Sequence, residues 1–141
     1  MPIKRSQYQS EKSLEEFYNS KEWSGAFEII SKRMLEFINL INENFSKTQL
    51  IASTSHQRLC IQDKDDKRLN WIIIISNIAS TEYYFEYKVP NNKSPWDNAW
   101  MKGTASNLEE SIIYLIKSMN ESEVWNGNQE LIKLNKKYEI Q

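Results

Sequence analysis

Glycine and proline number three each in this chain of 141 residues, and cysteine and histidine one each. With Gly25, Gly103 and Gly127 far apart, the glycine-rich loops that cradle nucleotide phosphates are excluded. A lone Cys60 allows no intrachain disulfide and no multi-cysteine zinc site, and a lone His56 allows no histidine-based metal cluster. No serine sits in a nucleophile-elbow pattern. No cofactor and no metal is therefore expected.

Long apolar runs are also missing. The longest strongly apolar run, residues 71–75, has five residues, against the roughly 20 that a membrane-spanning helix needs. The start, Met1-Pro2-Ile3-Lys4-Arg5, is basic enough to open a signal peptide, but no apolar stretch follows it. A cytoplasmic protein without a membrane segment is expected.

Nor does one sign of charge dominate. The formal net charge is -1, and positive and negative residues balance locally along the chain. The densest basic group, Lys64, Lys67 and Arg68, is offset by Asp63, Asp65 and Asp66. Binding to nucleic acid requires clustered Lys and Arg to neutralise phosphates, so it is not expected.

The remaining constellations fail on geometry. His56 and Cys60 could form a thiol-imidazole pair, but four residues of extended strand separate them by roughly 13 Å. Asp63, Asp65 and Asp66 resemble the start of a calcium loop. Arg68 stands where that loop needs glycine, and Ile74 where it needs a bidentate glutamate. The pairs Glu15-Glu16 and Glu109-Glu110 fall in first turns of predicted helices, where they favour the helix dipole.

What the chain does contain is a clear change of period. Ser13 with Glu16 is a capping-box spacing that opens a short helix carrying Leu14, Phe17 and Tyr18. Phe27, Ile30, Met34, Phe37, Ile38, Ile41 and Phe45 recur at threes and fours, which predicts a long amphipathic helix to about Asn44. Residues 49–54 and 57–62 then read as paired strands, with residues 63–68 as a charged hairpin loop.

The run 71–75 shows no alternation, so a central strand covered on both faces is expected. In residues 82–89, Tyr83, Phe85, Tyr87 and Val89 alternate with Glu82, Tyr84, Glu86 and Lys88, which predicts one buried and one partly wet sheet face. Residues 99–105 could add a fifth strand. A helix capped by Ser106 or Asn107 follows, and a last helix from about Asn128 should bury Leu131, Ile132 and Leu134.

These elements predict a two-layer α+β fold, with a mostly antiparallel sheet of four to five strands and helices packed on one face. One domain, 1–141, is expected, with residues 1–12 as a flexible N-terminal tail.

Without a catalytic set, function rests on the aromatics. The segment Ser94-Pro95-Trp96-Asp97-Asn98-Ala99-Trp100 holds two of the five tryptophans just after a strand. We expect a non-enzymatic binding protein, inhibitor-like or immunity-like. Its open sheet face and the loop of residues 90–100 would hold a protein partner through Tyr84, Lys88, Trp96, Asp97 and Trp100. One of the two tryptophans is expected to plug the core while the other stays free. The alternative is a small-molecule binder or an enzyme with a pocket between sheet and helices, lined by Tyr83, Tyr87 and Trp100 with His56 or Arg58 as its polar group. Homo-oligomerisation through the aromatic surface is a third reading.

Overall fold

The computed structural model describes residues 3–66 and 71–140. Lys67 and Arg68 of the basic group, and the end of the charged loop, lie outside the described residues. Six strands form one sheet in sequence order. They are β1 (Ile3–Arg5), β2 (Leu50–Ser55), β3 (Arg58–Gln62), β4 (Ile72–Ser76), β5 (Tyr83–Lys88) and β6 (Trp100–Ala105). Helices α1 (Leu14–Tyr18) and α2 (Ala26–Asn44) lie between β1 and β2, and α3 (Leu108–Ser122) and α4 (Gln129–Lys137) follow β6.

The sheet is mixed and six-stranded, which corrects the expectation of four to five strands. β1 pairs parallel to β2, Ile3 opposite Leu50 and Arg5 opposite Ala52, while every other pairing is antiparallel. A parallel neighbour requires a long crossover, and the segment carrying α1 and α2 supplies it. Residues 3–5, placed by the sequence reading in a tail, are thus an edge strand.

The helices begin where the capping residues predict. Ser13 and Glu16 exchange both bonds of a capping box at α1. Asn107 Oδ1 accepts from the Glu110 amide to start α3, and Asn128 does the same for Leu131 at α4. The glycine before α2, Gly25, takes φ 59°, a left-handed conformation that costs other residues energy.

One apolar layer lies between sheet and helices. Ile30, Met34, Phe37, Ile38 and Ile41 of α2 face Leu50, Ala52, Leu59, Ile61, Ile72 and Ile74. Ile112, Leu115, Ile116 and Met119 of α3 complete the layer over β5 and β6. Phe37 meets Tyr83 and Phe85 at ring-centroid distances of 5.7 and 5.8 Å. Each such fully buried side chain contributes about 1.5–3 kcal/mol relative to leaving it in water.

Polar pins hold the layer in register. The buried Gln57 amide donates to the Phe27 carbonyl and the Ser31 hydroxyl, both at 2.7 Å, and the Gln57 carbonyl accepts from the Tyr18 hydroxyl at 2.9 Å. Asn120 and Asn135 join α3 to α4 by reciprocal amide bonds of 2.6 and 3.1 Å.

Four expected core positions are not fully in the core. Phe27 and Ile132 are exposed, because they sit on the rims of their helices, outside the buried stripe. In the run 71–75 only Ile72 and Ile74 are buried, while Ile73 and Ile75 are half-buried on a face that no helix covers. β4 is central, as expected, but only one of its faces is sealed.

Candidate functional site

Two surfaces on the β5–β6 half of the sheet are candidate sites. The first is the uncovered face. Tyr83 and Phe85 point into the core, so the alternation of β5 puts Tyr84, Glu86 and Lys88 outside. Trp100 stands directly opposite Lys88, and Lys102 opposite Glu86, with which it forms an ion pair at 3.7 Å. The Lys88 ammonium lies 5.6 Å from the Trp71 ring centroid, a cation–π contact. Of the predicted contact residues, the structure therefore brings Tyr84, Lys88 and Trp100 onto one face.

Trp96 and Asp97 remain in the loop that leads into β6. Trp96 is 72% exposed, and among the described residues no ring contact joins it to Trp100. The Ser94 hydroxyl donates to the Trp96 carbonyl, and Asn98 takes φ 59° to turn the chain into the strand. Neither tryptophan plugs the core, contrary to expectation. Trp100 is half-buried on the outer face, and the indole inside the protein is that of Trp125, which is 5% exposed.

The uncovered face also has a charge bias that the linear sequence hides. Its strand-borne charges are Lys4, Arg58, Lys88 and Lys102 against Glu86 alone. In a chain of net charge -1 the strands of this face thus carry a basic excess, with Asp63 beside the Trp71 indole and Glu82 beside Asn77 at its margins.

The pocket expected from His56, Arg58, Tyr83, Tyr87 and Trp100 is not assembled. His56 is exposed at the β2–β3 turn with φ 57°, and Arg58 is exposed beside it, donating to the Ser55 hydroxyl. Tyr83 is a core residue whose hydroxyl donates to the Arg33 carbonyl at 2.9 Å. Cys60 is buried in β3 opposite Ser53. Burial pushes its thiol up, against weaker opposing effects of Arg58 and Ser53, so a reactive thiolate is disfavoured.

Tyr87 belongs to the second surface, a groove of about 640 Å³ on the helix side of β6. Met101 and Gly103 of β6, Tyr114 and Lys117 of α3, and Tyr138 after α4 form its walls. Gly103 lets Tyr114 pack closely on the strand, since a Cβ there would stand 3.1 Å from the ring and push it back by a few tenths of an ångström. The hydroxyls of Tyr87, Tyr114 and Tyr138 have no hydrogen bond to a described residue. Burial, and secondarily the Glu121 carboxylate, push the Tyr87 hydroxyl's pKa up, so it stays protonated as a donor.

Sequence reasoning missed the groove. The available signal was Tyr114, Lys117 and Glu121, which share one face of α3 at spacings of three and four.

The acidic loop has structural work. Asp65 accepts from the Ser6 hydroxyl and the Gln7 amide, and Asp63 from the Trp71 indole. Among the described residues no cluster of acidic, histidine or cysteine side chains could hold a metal, and no helix is long and apolar enough to cross a membrane. Comparison with protein-family models, with curated proteins and with solved structures finds no match.

Proposed function

We propose that this domain is a non-enzymatic protein-binding module of the cytoplasm that docks an acidic surface of a partner onto its uncovered sheet face. The observation that carries the reading is the combination on that face of aromatic rings and excess cations. Tyr84, Trp100 and Trp71 supply flat apolar area, and among the strand residues Lys4, Arg58, Lys88 and Lys102 outnumber Glu86. Rings of this kind supply anchor energy in interfaces, and complementary charge speeds encounter and fixes orientation. Trp96 and Asp97, exposed in the neighbouring loop, extend the contact at its rim.

A photo-crosslinking residue placed at Tyr84, with one at Lys133 of α4 as control, tests this in cells. The expected result is an adduct with an acidic protein from position 84 alone, weakened at least tenfold by Lys88→Glu. Adducts with nucleic acid, adducts with a second copy of the chain, equal labelling from both positions, or no adduct at 84 would each overturn the proposal.

A further inference from the structure

The free edge of the sheet is built to take another strand. Sheet order ends at β6, so among the described residues one side of that strand has no partner. Which backbone groups face outward follows from the hydrogen-bond phase. The Val89 amide donates to the Ala99 carbonyl at 3.0 Å, and antiparallel pairing then alternates. Met101, Gly103 and Ala105 turn their backbone groups toward β5, and Trp100, Lys102 and Thr104 turn theirs away from the sheet. The bonds from Asn77 to Glu82 and from Lys88 to Trp71 give β5 the same phase independently.

Proteins usually blunt such an edge with proline, a bulge, a very short strand or a covering helix. β1, at the opposite edge, is three residues long, and its Ile3 amide donates to Asn42. β6 has six residues, no proline, and an unbroken register from Trp100 opposite Lys88 to Ala105 opposite Tyr83. Beside it lies the groove, with Met101 and Gly103 on the strand side and Ile113, Tyr114 and Lys117 on the helix side. Met101 is 53% exposed there.

We propose that this edge and groove bind an extended peptide segment of a partner protein, which adds as a seventh strand and sets alternate apolar side chains into the groove. The inference rests on the reading of the domain as a protein binder and gives that binding a second surface and a sequence preference. A strand on the edge bonds to the outward amides and carbonyls of Trp100, Lys102 and Thr104, and every second side chain points down among Tyr87, Met101, Tyr114 and Tyr138. The intervening side chains lie on the outer face beside exposed Lys102, so a carboxylate there makes an opposite-charge cross-strand pair. The preferred segment alternates apolar residues with at least one Asp or Glu.

The same charge argues against a second copy as occupant. Two β6 edges paired antiparallel in hydrogen-bond phase over residues 100–104 set Lys102 directly opposite its own equivalent, and like charges in that position repel.

The test is selection from a display library of random octapeptides, followed by titration of the selected peptides into isotope-labelled full chain. Enriched sequences should alternate apolar and acidic residues, and should shift the amide signals of Trp100, Lys102 and Thr104. Lys102→Pro removes an outward N–H without touching the β5 ladder and should weaken binding at least tenfold. If that variant fails to fold, Lys102→Glu keeps the backbone and should switch the selected charge from acidic to basic. Tyr84→Ala, which alters only the sheet face, should leave peptide affinity within about twofold, whereas crosslinking at position 84 should survive Met101→Asp, which alters only the groove. No enrichment, peptides that shift only Ile73 and Tyr84, affinity indifferent to both Lys102 variants, or concentration-dependent protection of β6 without peptide would overturn the proposal.

Discussion

Ile72, Ile73, Ile74 and Ile75 are four identical side chains in one strand with two different fates. Ile72 and Ile74 turn toward α2 and are fully shielded from water, while Ile73 and Ile75 turn to the outer face and stay half-buried. Side-chain chemistry is the same at all four, so burial is decided by what lies over each face of the sheet. The covered face stabilises the fold. The uncovered face leaves apolar and aromatic surface partly in water beside Lys88 and Lys102.

The sharpest way to break this comparison is to remove adjacent members of the set. Ile74→Ala deletes packed atoms with no room to relax and should cost about 4 kcal/mol. Ile73→Ala removes side-chain atoms already partly in water and should cost about 1 kcal/mol. Urea unfolding of both variants measures the gap. Equal losses would mean that the outer face is sealed like the inner one.

A smaller effect sharpens the picture of how the covered layer is closed. Glu130, in the first turn of α4, accepts from the Lys47 amide at 2.8 Å, the Thr48 hydroxyl at 2.6 Å and the Ser46 hydroxyl at 3.1 Å. Burial pushes its pKa up, but these bonds together outweigh burial and hold it below its ordinary value of 4.5. A depressed folded value means that the ionised carboxylate stabilises the fold above pH 4.5, and that this contribution fades as pH falls through the folded value. Glu130→Gln should therefore cost about 1 kcal/mol at pH 7. The difference from the parent chain should narrow on acidification below pH 4.5, as read by thermal unfolding at several pH values.

Much of this architecture was legible in the sequence, for local reasons. Ser13, Asn107 and Asn128 mark helix starts because a cap is a contact within three residues, and β5 is legible because its alternation matches the pleat. β1 was not, because three residues are too few to show a period and its partner Leu50 lies far along the chain. Phe27 and Ile132 misled because threes and fours define a stripe without fixing its width. Of the site, the shared face of Tyr84 and Lys88 followed from alternation alone. The groove did not, since Tyr87, Met101, Tyr114 and Tyr138 come from four segments that only tertiary packing brings together.

The smallest expected change in stability tests the comparison most directly, because it separates stability from binding at one residue. Tyr84 is 41% exposed, and its hydroxyl accepts from the Asn77 side-chain amide at 2.6 Å on the surface. Water replaces an exposed bond of this kind at little cost. Tyr84→Ala should therefore shift stability by no more than about 0.5 kcal/mol. Affinity for the protein crosslinked at this position should nevertheless fall at least tenfold, because an interface ring in a central position loses its contact area without replacement. Calorimetric melting and a binding titration on the same preparation measure both quantities. Loss of stability without loss of affinity would make Tyr84 part of the core, and the uncovered face would then be a second structural surface rather than a site.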